Sequence, residues 1–264
     1  MIQLLGIPFD SNSSFLKGPA LAPPRIRWMD QQGSANAFAE NGTEILQGLT
    51  YRDLGDMDLA GASREQAFRK IKAQAAAVIA DGNHLLSIGG DHSVSYPLVS
   101  AFAERFPGLH ILHLDAHADL YEDFEGNPYS HASPFARILE SSAVDSLTQV
   151  GIRTLNTHQR EQAQRFGVQL VEMKSYSTAF LKDLKGPLYI SLDLDVLDPA
   201  FAPGVSHHEP GGLSTRQVLD LLQGIDVNVV GADMVEYNPV RDVHDMTAMV
   251  GYKMMKELMA LMST

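Results

Sequence analysis

Cysteine is absent from the 264 residues. That one gap excludes disulfides, thiolate zinc ligation and a cysteine nucleophile together. Basic residues are scarce beside acidic ones, 20 Lys and Arg against 32 Asp and Glu, for a formal net charge of −12. A phosphate-binding surface needs clustered Lys and Arg, so nucleic acid is not expected as a partner. The acidic field favours a cationic substrate, as a weak long-range bias. No apolar run approaches the ~20 residues that cross a membrane, and MIQLLGIPFD enters a strand with no charged leader. The cytosol is the expected site of action. No repeat, low-complexity run or Pro/Ser linker divides the chain, so a single domain over residues 1–264 is expected.

Apolar runs of strand length recur at 2–7, 51–54, 84–88, 109–114, 147–150, 169–171, 187–195 and 227–235. Helical patterns fall between them, near 25–31, from Ser63 to Gly82, then 96–106, 135–139, 159–166, 215–222 and 246–262. Ser63 with Gln66 three residues on reads as a capping box, and Ala67, Ile71, Ala75, Val78 and Ile79 form one apolar face. Residues 34–47 are polar and mixed, without a clear period. Alternation of strand and helix predicts a three-layer α/β/α sandwich around a parallel sheet of roughly eight strands.

The chemistry concentrates where apolar runs turn acidic. LHILHLDAHAD, residues 109–119, begins as a buried strand and ends with Asp115, His117 and Asp119 at i, i+2 and i+4. In extended chain that spacing puts all three on one side. Carboxylates and an imidazole gathered on an apolar element are costly to bury unless a cation compensates them. Turn or cap duty is the bland alternative, but PLYISLDLDVLDP repeats the pattern with Asp193 and Asp195. In open α/β sheets ligands bind at the carboxyl ends of strands. A third strand end carries GGDHS, with two glycines permitting a tight path before His92. His92, Asp115, His117, Asp119, Asp193 and Asp195 are too many ligands for one zinc ion. Two hard or borderline ions sharing carboxylates would use them all, so a binuclear centre is expected, with manganese favoured by a ligand set of oxygen and imidazole.

GGDHS, DAHAD and SLDLDVLDP resemble the three signatures of the ureohydrolase family, the arginases, agmatinases and related amidinohydrolases that use two Mn²⁺. The resemblance runs from GIPFDSNSS to VEYNP and the C-terminal helix. YEDFEGNPYSHASPFARI, FAPGVSHHEPGGLS and MTAM are most similar to the plant-type arginase branch and its bacterial relatives. The resemblance implies an arginase-like fold and bridging roles for Asp115 and Asp193. His92 and Asp119 would complete one ion's shell, His117 and Asp195 the other's. A water shared by two such ions is acidified enough to attack a guanidinium carbon as hydroxide. Glu236, in VEYNP, matches the guanidinium-binding glutamate, and His131, in YSHAS, the histidine that shuttles protons. With Asp119 these two make up the expected catalytic set.

The implied reaction releases urea from a guanidino substrate, L-arginine first and agmatine or another guanidino acid second. The loop 120–133 is the expected reader of the substrate's far end. Animal and many bacterial arginases carry an Asn and a Ser there that contact the α-carboxylate; here Tyr121, Glu122 and Asp123 come early, and Asn127 and Ser130 are the candidates. The resemblance also implies a homo-oligomer, trimer or hexamer, with interfaces in the C-terminal region. His110 and His113 read as core or supporting groups, Asp91 and Asp198 as turn braces, and His84, His158 and His244 as structural. His207 and His208 either line the entrance or do nothing. A single-metal deacetylase of similar fold would show fewer ligands and a catalytic tyrosine. A non-catalytic relic would show a lost ligand.

Overall fold

The computed structural model describes residues 1–263. Eight strands form one parallel sheet: β1 (Ile2–Gly6), β2 (Tyr51–Asp56), β3 (His84–Ile88), β4 (His110–Leu114), β5 (Ser146–Ile152), β6 (Gln169–Glu172), β7 (Leu188–Asp193) and β8 (Val229–Val235). Their order across the sheet is β2-β1-β3-β8-β7-β4-β5-β6. The expected three-layer architecture is present. The middle strands are buried on both faces, as β7 shows: Leu188, Ile190 and Leu192 join the core on one side, and Tyr189 the core on the other.

One helix layer comprises α1 (Ala22–Gln31), α6 (Thr215–Gln223) and α7 (Met246–Met262). The other comprises α2 (Arg64–Ala80), α3 (Ser95–Arg105), α4 (Pro134–Glu140) and α5 (Thr157–Phe166). The capping box at the start of α2 is formed, with Ser63 Oγ accepting from Gln66 N–H and the Gln66 side chain accepting from Ser63 N–H. Each cap of this kind is worth about 1 kcal/mol. Residues 34–47 form neither helix nor regular strand. Two buried charges on α7 hold them instead, Glu257 accepting from Glu40 N–H and Lys256 donating to Asn36 O.

One expectation is corrected. Asp115, His117 and Asp119 are not in extended chain, because β4 ends at Leu114 and Asp119 adopts φ +51°. Asp115 Oδ1 accepts from His117 N–H at 2.6 Å, folding the chain into a turn as it leaves the sheet. After β7, Asp193 Oδ1 likewise accepts from Asp195 N–H at 2.7 Å and opens a single 3₁₀ turn. The side chains converge because Asp115 and Asp193 brace their own turns.

Candidate metal centre and substrate cavity

The four central strands, β3, β8, β7 and β4, are neighbours and parallel. Their carboxyl ends therefore lie side by side, and each delivers functional groups. His92 follows β3, Glu236 follows β8, Asp193 and Asp195 stand at the end of β7, and Asp115, His117 and Asp119 follow β4. Glycine makes the first of these turns possible, since a Cβ on Gly90 would lie 1.9 Å from Phe9 O. Asp91 braces the same turn, accepting from Asn12 N–H and Ser93 N–H, and burial pushes its carboxyl up to about 6.

His92 Nδ1 lies 3.1 Å from Asp115 Oδ2, 3.1 Å from Asp119 Oδ2 and 3.2 Å from Asp193 Oδ2. The atom is buried and makes no hydrogen bond. Three carboxylates facing one nitrogen, which can offer at most one proton, describe a cation's coordination shell better than a hydrogen-bonded cluster. Beside it, His117 Nδ1 lies 3.0 Å from Asp195 Oδ2 and 3.4 Å from Asp115 Oδ1. Asp115 thus turns one oxygen to each histidine, the posture of a bridging ligand.

Electrostatics supports the same assignment. Burial opposes charge on His92, but its three carboxylate neighbours outweigh it and hold the imidazole well above its ordinary pKa. His117 is raised in the same way by Asp195 and Asp115. Burial, with Asp195 and Asp115 nearby, pushes Asp193 well above the usual carboxylate range. A group of this composition needs positive charge, from protons or from metal, and the residues present fit two divalent ions.

His113 is close enough to be mistaken for a ligand. Its Nε2–H donates to Asp115 Oδ2 at 2.7 Å, its Nδ1 accepts from the Gln149 amide at 2.9 Å, and its ring stacks on Phe135. Both nitrogens are used, so His113 supports Asp115 and belongs to the supporting layer, as the sequence suggested.

A cavity of about 230 Å³ opens over the centre. Glu236, at φ +62°, accepts on Oε1 from His92 N–H (2.9 Å) and His131 Nδ1–H (2.8 Å). Its Oε2 is buried without a partner. Burial opposes its ionisation, yet the His131 charge wins and lowers its pKa. Conversely, burial disfavours protonated His131, but Glu236 and the acids beyond it hold the imidazole up at about 9. The other ring nitrogen, Nε2, meets Ser14 Oγ at 2.8 Å.

The six expected ligands, His131 and Glu236 come together. Asn127 and Ser130 do not, and their expected substrate contacts are corrected here. Asn127 Oδ1 accepts from Arg64 of α2 and from Tyr129 N–H, Ser130 Oγ accepts from Ala132 N–H, and neither lines the cavity. These two oxygens thus accept within the loop and from α2. The cavity wall is made instead by Ser14, Tyr121, Phe124, Thr154, Gln159, His207 and Glu209. Of these, the sequence reading reached Tyr121 and left His207 open. His207 lies between Phe15, His117 and His131, whereas His208 bonds Pro203 O outside the cavity. Arg153 was missed as well. Its guanidinium donates to Asp195 O, Val196 O, Leu197 O and Glu209 O, tying the turn after β7 to the far wall. The only local sign of Ser14 was its place in GIPFDSNSS.

The model of the Arginase family matches residues 1–261. The chain belongs to the arginase family. It is 49% identical to Arginase 1, mitochondrial, of Arabidopsis thaliana, over 99% of this chain and 81% of that one. It is 32% identical to an agmatinase of Bacillus anthracis, over 98% and 90% respectively. The solved structure of arginase from Medicago truncatula superposes with a TM-score of 0.93 at 44% identity, covering 99% of this chain and 87% of that chain. The arginase-family assignment makes this chain a hydrolase of the ureohydrolase kind, and the cluster around His92 and Asp115 is the site at which such chemistry can occur.

Proposed function

We propose that this chain is a binuclear manganese ureohydrolase that converts L-arginine to ornithine and urea. The observation that carries the reading is Glu236 Oε2, a buried, unpartnered carboxylate oxygen in a cavity shared with the His/Asp cluster. Such an oxygen asks for a donor, and a guanidinium is a planar fork of them. His92, Asp119, Asp115 and Asp193 would hold one ion, and His117, Asp195 and the shared carboxylates the other. When bound, the pair supplies Lewis acidity and an activated water near neutral pH.

The protein's own residues do the rest. Glu236 orients the guanidinium so that its central carbon faces the cluster, which matters because delocalisation makes that carbon a poor electrophile. The C–N bond to the substrate's side chain breaks, and its nitrogen must leave as an amine with an added proton. His131, whose imidazole Glu236 holds above its ordinary value, can give that proton and recover another through Ser14 at the solvent edge.

L-arginine is supported by the 49% identity to the Arabidopsis arginase. Glu209 suits its α-ammonium, and Gln159 and Tyr121 offer donors for its α-carboxylate. Agmatine is the second reading, because among the described residues no Lys or Arg lines the cavity. The deciding experiment compares kcat/KM for L-arginine, agmatine and 4-guanidinobutyrate with manganese. A site that pairs the carboxylate should reject agmatine strongly. A preference for agmatine would overturn the arginase reading.

The proposal includes a homo-oligomer, trimer or hexamer. Helix α7 is largely buried within the chain, but Trp28 of α1, Phe201 and Met246 are exposed apolar groups at hand for an interface. A monomer by light scattering would refute it. Cytosolic placement is proposed too, and cell fractionation is its test, since the Arabidopsis relative is named as mitochondrial.

A further inference from the structure

Beneath the metal centre runs a buried polar line that the chemistry above does not use. On β7, Tyr189, Ser191 and Asp193 alternate onto one face, and Ser191 pairs directly across the sheet with Asp233 of β8. Ser191 Oγ–H donates to Asp233 Oδ1 at 2.7 Å, and the Tyr189 hydroxyl donates to Asp233 Oδ2 at 2.7 Å. Both carboxylate oxygens accept from hydroxyls, the pattern of an acid held ionised by its donors, Ser95 among them, against the burial that raises its pKa. Because the single proton of Ser191 is used on Asp233, its 2.9 Å contact with His92 Nε2 has to be donated by the histidine. A ring that donates from Nε2 keeps Nδ1 for coordination, and Nδ1 is the atom ringed by Asp115, Asp119 and Asp193.

Charge leads to the same place. Asp233 is fully buried, and its neighbours are hydroxyls and His92, with no Lys or Arg among them in the described residues. A buried carboxylate without a cation is costly. The nearest positive charge it can reach is the one gathered at His92, one hydroxyl away.

Building on the metal reading above, we propose that Asp233 is a positioning residue that acts through Ser191 to fix His92 with Nε2–H donating and Nδ1 free for the metal. It makes His92 a firmer ligand without touching the metal or the substrate.

The test measures manganese affinity of metal-stripped protein by equilibrium dialysis and elemental analysis, with melting curves of the stripped forms as a check on folding. Ser191→Ala and Asp233→Asn should each weaken the tighter-held manganese by about 10- to 100-fold, the usual effect of removing a partner of a metal ligand. The double variant should be no worse than Ser191→Ala alone, since Ser191 carries the hydrogen-bonded route from Asp233 to His92. Tyr189→Phe removes the acid's other donor but leaves the line to His92 intact, and it should bind manganese more tightly than either. Additive losses, or an equal loss in Tyr189→Phe, would reduce Asp233 to a packing role and overturn the proposal. Two manganese ions bound by the wild type with unchanged affinity in Ser191→Ala would sink it while sparing the metal reading. A wild type that binds no manganese would sink both.

Discussion

Glu236→Gln is the substitution that separates the guanidinium reading from a merely structural carboxylate. The glutamine keeps the size of the side chain, and its carbonyl can still accept from His92 N–H and His131 Nδ1–H. Its amide NH₂ then replaces Oε2, the buried oxygen without a partner. A guanidinium has only donors to offer, so the substrate would meet donors where it needs an acceptor. Loss of a charged hydrogen bond costs about 1.5–3 kcal/mol, and an unsatisfied buried donor about 1–3 more. Together that is roughly 3–6 kcal/mol, or a fall of about 10²- to 10⁴-fold in kcat/KM at 1.36 kcal/mol per decade. Urea release against arginine concentration measures it, with a melting curve to confirm that the fold survives. A second readout follows from His131, whose pKa of about 9 depends on Glu236 as the largest raising influence. Without that charge, the alkaline limb of the rate should move down in pH. Activity within a few-fold of wild type in a folded Glu236→Gln protein would refute the reasoning.

His131→Asn should cost about 10²-fold or more in turnover, the usual loss of a general acid, with metal content unchanged; full activity would assign His131 to the loop's structure. In the wild type, kcat/KM should fall on the alkaline side as His131 loses its proton, at or below about pH 9, because bound dications can only lower its pKa further. Stability of the metal-free protein should fall from pH 6 to pH 9. Histidines raised in the fold, His92, His117 and His131, lend stability that disappears as pH climbs through their folded values, while Asp91, pushed up to about 6 by burial, completes its own loss at the bottom of that window. The gain in Tm on adding manganese should therefore grow with pH, and a constant gain would contradict the charge argument.

What was legible in the sequence was local. Strand β3 and helix α7 show their bounds through period and length, and α2 through the Ser63 and Gln66 pair. The ligands announced themselves as charges at the ends of apolar runs, although the reason they converge was misread. Asp119 turns inward through a left-handed conformation, where an extended strand was expected; Asp tolerates that conformation but does not require it. The cavity wall was not legible because it is assembled from segments that follow different strands. Thr154 and Gln159 come from one, Glu209 from another, and Ser14 from the chain beyond β1. Only the sheet order, with β8 and β7 inserted between β3 and β4, makes them neighbours. Asn127 misled for the opposite reason, being near the site in sequence while its side chain is held by Arg64, 63 residues earlier.

Some of the missing information was present in a form a local reading passes over. A parallel strand buried on both faces should be a nearly continuous apolar run. Strand β4 departs from that with His113 and β7 with Ser191, each two residues before an expected metal ligand. A polar residue in such a strand must find a partner or be lost to selection for stability, since an unsatisfied buried group costs about 1–3 kcal/mol. The partners found are Asp115 and Gln149 for His113, and His92 and Asp233 for Ser191. Polar positions of period two inside a doubly buried strand therefore mark a layer that holds a site from below, and the amino-acid sequence alone displays them.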